Sequence, residues 1–194
     1  MLQETALKIL QTGANVFLTG EPGSGKTHTV NQYVGWLRSR GIEPAITAST
    51  GIAATHIHGM TVHSWSGIGI RRDLNPYDLD KITQNKRVVG RVCDTSILII
   101  DEVSMLSAGT LAMVDVVCRE VRRKDKPFGG LQVVLVGDFF QLPPVMRIDD
   151  RAEKALDFSA GGGSAFGGEK TSNFAFSARV WEALNPIVCY LSEQ

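Results

Sequence analysis

The sequence predicts an α/β domain, a mostly parallel sheet with helices on both faces. Three observations carry that expectation. Apolar runs of strand length alternate with stretches of helical periodicity along most of the 194 residues, which is the pattern of a doubly wound sheet. Two of the runs, Ser96-Ile-Leu-Ile-Ile100 and Leu131-Gln-Val-Val-Leu-Val136, are close to continuously apolar, as strands covered on both faces must be. Between a strand-type run at 14–19 and a helix-type run at 28–40 lies Gly20-Glu-Pro-Gly-Ser-Gly-Lys-Thr27. A glycine-rich turn that ends a strand and opens a helix has the context of a phosphate-binding loop.

Residues 3–12 place Ala6, Leu7, Ile9 and Leu10 on one helical face, and Gly13 ends that helix. After the loop, Val30, Tyr33, Val34 and Leu37 recur at helical spacing, with Gly41 just past the helix end. Residues 43–50 read as the second strand and 51–55 as the start of a short helix. Residues 56–70, with their glycines, three of the four histidines and Trp65, read as loop rather than core. Residues 71–91 are charged and read as surface helix and loop. The strand at 96–100 ends in Asp101-Glu102, an amphipathic helix follows at 111–121, and the strand at 131–136 runs into Gly137-Asp-Phe-Phe-Gln-Leu-Pro-Pro144.

Residues 147–173 break the rhythm. They are first charged and then glycine-rich, a composition that predicts a mobile insertion within one domain spanning 1–194. Order is expected to return with Phe174-Ala-Phe-Ser177, a helix through Leu184 and a last strand at 187–191. The chain stops soon after that strand, which suggests a piece of a larger protein.

Composition limits the functions. Lys plus Arg and Asp plus Glu both number 20, so no net charge draws the chain to nucleic acid or membrane, and any nucleic-acid groove must be local. Cys93, Cys118 and Cys189 are widely spaced, and the last two lie in apolar stretches, which suits reduced thiols in a reducing compartment. No run approaches the ~18 apolar residues of a membrane span, and the first eleven residues lack a signal-peptide core. An intracellular, soluble protein is expected. His56, His58 and His63 lack the cysteine or carboxylate partners that metal sites add.

The chemistry centres on the loop. Gly20, Gly23 and Gly25 allow torsions that turn successive N–H groups inward, and those groups with the new helix end attract a polyphosphate. Glu21, Pro22, Ser24 and His28 complete the cradle. Lys26 can reach the β and γ phosphates, and the Thr27 hydroxyl can ligate Mg²⁺. A second strand delivers Asp101 to the metal, with Glu102 beside it to polarise a water. Gln141 follows the next strand and is read as sensing the γ phosphate; with Pro143 and Pro144 behind it, the alternative is a rigid turn. Trp65 reads as partly buried packing rather than a stacking platform, and Phe139 and Phe140 read as core, although one of the two could face a base.

These residues resemble those of the Pif-type (petite integration frequency) DNA helicases. Gln3, followed by Asn15-Val-Phe-Leu-Thr-Gly-Glu-Pro-Gly-Ser-Gly-Lys-Thr27, is similar to the family's opening. Thr47-Ala-Ser-Thr-Gly-Ile-Ala-Ala54 with Gly59-Met-Thr-Val-His63 is similar to its second block. Leu98-Ile-Ile-Asp-Glu-Val-Ser-Met105 and the 137–144 segment are similar to its third and fourth, and Phe174-x-Phe-Ser with Trp181 to an aromatic signature near the domain's end. The resemblance implies a RecA-like P-loop NTPase domain, the first motor domain of an ATP-dependent helicase moving 5′ to 3′ on single-stranded DNA. It implies ATP and Mg²⁺ as cofactors, single-stranded and fork-like DNA as partners, a second motor domain outside this chain, and a monomer acting in a bacterial nucleoid or a eukaryotic nucleus. Gln3 would hold the adenine edge, Lys26, Glu102 and Gln141 would act in hydrolysis, and Thr50, Gly51, Thr61 and His63 would lie on the DNA side. The family's sequence runs on past Leu191-Ser-Glu to an arginine at the γ phosphate, so this chain by itself is expected to bind nucleotide without unwinding.

Two other classes compete. A partner-binding switch would use the same loop, but guanine recognition needs N-K-x-D, and Asn85-Lys-Arg-Val88 lacks the aspartate. A small-molecule kinase would need an arginine-bearing lid, and residues 147–173 hold few basic groups.

Overall fold

The computed structural model describes residues 1–140 and 174–192. Its strands are β1 (Val16–Gly20), β2 (Ala45–Ala48), β3 (Met60–Thr61), β4 (Ile97–Asp101), β5 (Gln132–Val136) and β6 (Ile187–Leu191). They form one sheet in the order β3-β2-β4-β5-β1-β6, and every pairing in it is parallel. The helices are α1 (Gln3–Gln11), α2 (Lys26–Arg38), α3 (Gly51–His56), α4 (Val62–Ser66), α5 (Pro76–Gln84), α6 (Lys86–Asp94), α7 (Ala108–Arg122) and α8 (Arg179–Leu184).

Strand alternation divides the core into two layers. Val16, Leu18, Ile97, Ile99, Val134 and Val136 point to the face covered by α1 and α2, where Ala6, Leu10, Tyr33 and Leu37 pack. Phe17, Leu98, Ile100, Val133 and Leu135 point to the other face, against Trp65, Ile82, Val92, Leu111, Val117 and Leu184 of α4 to α8. Helices on both faces and a parallel sheet are thus as the sequence predicts, and the central strands carry no polar face because neither face meets water.

Three expectations change. Residues 56–70 are not a loop: Met60–Thr61 pairs with β2, and Val62, Trp65 and Ile68 are buried at 0–2% exposure. Their three-residue spacing is helical, but one and a half turns were too short to stand out among glycines and histidines. Residues 71–91 resolve into two short helices, because Asn75 and Asn85 each cap one by accepting N–H groups with Oδ1. Phe139 packs amid Phe17, Phe174, Phe176 and Trp181, with ring centroids 4.9–6.0 Å away. Phe140, expected in the core, is 96% exposed, because the chain leaving β5 can turn only one of two neighbouring rings inward. Gln141, Pro143, Pro144 and the 147–173 insertion lie outside the described residues. Among the described residues, no helix is long and apolar enough to cross a membrane.

Candidate nucleotide and nucleic-acid site

Parallel strands bring all their carboxyl ends to one edge, where ligands of open α/β sheets bind. Along that edge the order is Thr61 at the end of β3, Thr50 after β2, Asp101 and Glu102 at β4, Asp138 after β5, the Gly20 loop after β1, and Leu191 in β6. With neighbouring strands roughly 5 Å apart, the threonines lie one and two strands from Asp101, and the phosphate loop lies two strands to its other side.

The loop takes the torsions its glycines permit. Gly20, Gly23 and Gly25 have φ of 145°, 81° and 87°. A Cβ at Gly20 would strike the Leu191 carbonyl and the Ser24 hydroxyl, so glycine there also lets β6 approach. Lys26 opens α2, and its Nζ folds back to donate to Gly20 O at 2.8 Å and Glu21 O at 3.0 Å. Glu21, Pro22, Gly23, Thr27 and His28 are exposed around the mouth, while Ser24 is buried beneath it. Gln3 reaches the loop from α1. Its Nε2 donates to Ser24 O at 3.3 Å, and its amide occupies the space a Gly25 side chain would need.

Asp101 and Glu102 end the central strand β4. Burial pushes the Asp101 carboxyl above its ordinary range, opposed by the Glu102 N–H, which donates to Asp101 Oδ1 at 2.9 Å, and by Lys26. Burial also raises Glu102, and the charges of Asp101 and Asp138 push the same way against Lys26. Glu102 holds φ 52°, ψ 42°, a left-handed conformation uncommon outside glycine. Asp138, to which the sequence reading gave no role, is buried, and its Oδ1 accepts the Phe140 N–H at 2.9 Å. One signal was available: it is a carboxylate at the end of an apolar strand, one glycine past β5, as Asp101 is the last residue of β4. A Cβ at Gly137 would press on the Val103 and Ser104 N atoms at 3.1 and 3.2 Å, so that glycine lets the end of β5 close on the turn after Glu102.

A cavity of about 570 Å³ opens beside Thr27, Asp101 and Glu102 and is walled across from them by Ile52, His56 and Met105. Sequence reasoning missed this wall, to which α3 brings Ile52 and His56 and the turn after Glu102 brings Met105. On the far side, Thr50 Oγ1 caps α3 by accepting the Ala53 N–H at 3.2 Å, and Thr61 Oγ1 caps α4 by accepting the Ser64 N–H at 3.2 Å. Gly51 faces open space. His63 is half-buried, and burial lowers its pKa below the ordinary imidazole value. The edge therefore gathers two groups, one around the loop with Gln3, Lys26, Thr27, Asp101 and Glu102, the other around Thr50, Gly51, Thr61 and His63. Thr50 touches both through the cavity. Among the described residues, no group of His, Cys, Asp and Glu is arranged to hold a metal by itself.

A family model described as PIF1-like helicase matches residues 3–160. The ATP-dependent DNA helicase Pif1 of Psychrobacter sp. (strain PRwf-1) is 50% identical over 194 residues, all of this chain and 27% of that protein. The crystal structure of Pif1 helicase from Candida albicans superposes with a TM-score of 0.82 at 33% identity, over 98% of this chain and 39% of that one. The crystal structure of Pif1 helicase from Bacteroides in complex with ADP-AlF3 and ssDNA gives 0.79 at 32% identity, over all of this chain and 42% of that one. The chain thus spans about a quarter of the curated relative's length.

Proposed function

Because the chain belongs to the PIF1-like helicase family, we propose that it is the RecA-like ATP-binding motor domain of a helicase that moves 5′ to 3′ on single-stranded DNA and acts at fork-like junctions inside the cell. The observation that carries this reading is the single edge on which the phosphate loop, the acidic pair and the two capping threonines stand in strand order. Unwinding belongs to the whole protein, with a second motor domain in cis and one monomer as the acting unit.

In this reading the residues divide the work. The 20–28 loop wraps the phosphates with its N–H groups, and the buried Ser24 hydroxyl, which has no partner among the described residues, suits a polar ligand there. Lys26 exchanges its two loop carbonyls for phosphate oxygens. Gln3, fixed against the loop, presents its amide to the adenine edge. The Thr27 hydroxyl and Asp101 carboxylate border one cavity and form an oxygen pair that fits Mg²⁺ together with phosphate oxygens and water. Mg²⁺ held by these two residues would offset charge on the β and γ oxygens. Glu102 orients the attacking water and accepts its proton at a carboxylate whose raised pKa makes it the stronger base. In this reading the γ phosphate is sensed by Gln141, which lies outside the described residues. Thr50, Gly51, Thr61 and His63 contact the strand. Each capping threonine uses an oxygen lone pair for its helix and keeps the hydroxyl hydrogen for a phosphate.

The test is anisotropy of a labelled thymidine oligonucleotide, with and without an ATP analogue and Mg²⁺, beside a duplex control. Binding should favour single strands, respond to nucleotide, and weaken about tenfold in a Thr61→Ala, His63→Ala variant, the loss of one or two phosphate contacts. If neither the chain nor the whole protein binds single strands, the DNA assignment fails and a partner-binding switch takes its place.

A further inference from the structure

Among the described residues, three buried side-chain polar atoms lack a hydrogen-bond partner: Ser24 Oγ, Ser49 Oγ and Trp65 Nε1. Buried polar groups are paired in the great majority of native cases, so each exception asks for a reason. Ser24 lies in the phosphate loop, and Trp65 is buried by the apolar packing of α4. Ser49 has neither reason. It is the residue between the end of β2 and the Thr50 cap of α3, and it is 8% exposed.

Its backbone makes a particular link. The Ser49 N–H donates to Asp101 O at 3.1 Å, while the Glu102 N–H donates to Asp101 Oδ1 at 2.9 Å. The peptide group joining Asp101 to Glu102 is therefore held at both polar atoms, the carbonyl by Ser49 and the N–H by the Asp101 carboxylate. That peptide leads into Glu102 at φ 52°, a torsion that a non-glycine residue keeps only when its surroundings impose it. In the other direction Ser49 is one peptide from Thr50, whose oxygen holds α3, and α3 walls the cavity that Asp101 and Glu102 also border.

We propose that Ser49 is a positioning residue that couples strand occupancy at Thr50 and Gly51 to the Asp101–Glu102 peptide. The inference rests on the DNA reading given above. In the arrangement described here, the N–H alone carries the link and the hydroxyl is unpaired. A phosphate that draws Thr50 outward moves Ser49 with it. The hydroxyl then turns to the second lone pair of the Asp101 carbonyl and holds the peptide, and with it Glu102, in place. A hydroxyl paired in one arrangement and unpaired in the other contributes a difference between them, and only such a difference can transmit coupling between two sites.

The experiment measures the affinity of a fluorescent ATP analogue with and without saturating oligothymidine, and the affinity for oligothymidine alone. The chain, Ser49→Ala and Ser49→Thr are compared, each checked by circular dichroism and thermal melting. Oligothymidine should change nucleotide affinity in the unsubstituted chain. Ser49→Ala should leave each separate affinity within about twofold and shrink the coupling factor by about three- to tenfold, the range of one net hydrogen bond. Ser49→Thr, which keeps a hydroxyl, should retain the coupling. Coupling that survives Ser49→Ala, or that Ser49→Thr loses equally, overturns the inference. So does a chain that binds both ligands without coupling. Where the chain does not bind oligothymidine, the same comparison is made in the whole protein; if that too binds no oligothymidine the proposed function falls, and if it binds both ligands without a Ser49-dependent coupling the inference falls, so the separate affinities tell these cases apart.

Discussion

The two halves of the carboxyl edge are built differently. The nucleotide half is carried by central strands β1, β4 and β5, and its backbone is fixed by positive-φ glycines that no other residue fits without strain. Several of its polar groups are already engaged: Lys26 bonds two loop carbonyls, Gln3 a third, and Asp101 the N–H of Glu102. The half proposed to meet DNA hangs on edge strand β3, two residues long, and on two helices of five and six residues. Its threonines hold those helices by single cap bonds. A site whose geometry is set by backbone torsion resists displacement. One set by short capped helices on a sheet edge can shift at small cost.

The largest effect should come from Lys26→Ala. Losing charge-assisted bonds to phosphate should weaken nucleotide binding roughly 10- to 100-fold. Because Lys26 bonds only its own loop, melting temperature should hardly change. Calorimetry with ATP would show it, and unchanged affinity would remove the loop from the nucleotide site. A pair of glycine substitutions then sharpens the contrast. Gly25→Ala forces a side chain onto φ 87° and into the Gln3 amide, and should destabilise the fold by about 1–2 kcal/mol while lowering nucleotide affinity. Gly51→Ala meets open space at the first position of α3 and should stabilise by up to ~1 kcal/mol. Urea denaturation of both variants tests the difference, and equal losses would erase the distinction between the halves.

That difference also explains what could be read from sequence. The phosphate loop was legible because its physics is local: glycines, a lysine and a threonine at fixed spacing between a strand and a helix. Asp101 and Glu102 were legible because a continuously apolar strand has to end somewhere, and a carboxylate pair there marks the end. Gln3 needed the family resemblance, since nothing in residues 3–12 says that α1 docks on Ser24. Asp138 was passed over because one carboxylate after a strand is common; its nearness to Glu102 comes from the β4–β5 pairing, which sequence does not give. Residues 56–70 were misread because a five-residue helix has no periodicity to detect, and its signal is the single Thr61 cap. Of Phe139 and Phe140, equally apolar, only the course of the chain decides which one is buried.

The smallest effect, and the one that separates the halves by sign, is the pH dependence of stability. Burial lowers the pKa of His63 below its ordinary 6.5, so the unfolded chain takes up this proton before the folded one does. The stability that His63 contributes is complete above about pH 6.5 and is lost as pH falls toward its depressed folded value. Asp101 and Glu102 shift the other way: their folded pKa values are raised above the ordinary 3.8 and 4.5. Their contribution is present below those ordinary values and is lost as pH rises through the raised ones. Acidification below about pH 6.5 should therefore loosen the threonine half through His63, whereas it relieves the carboxylate pair only as pH falls through their raised values. Melting curves of the nucleotide-free chain and of His63→Gln between about pH 7 and about pH 5 test this. The variant should lose the acid-side decline that the unsubstituted chain shows below about pH 6.5. Parallel curves would mean that His63 is solvated well enough to titrate alike in both states, and the burial that sets its environment apart from the open side of the edge would carry no energetic weight.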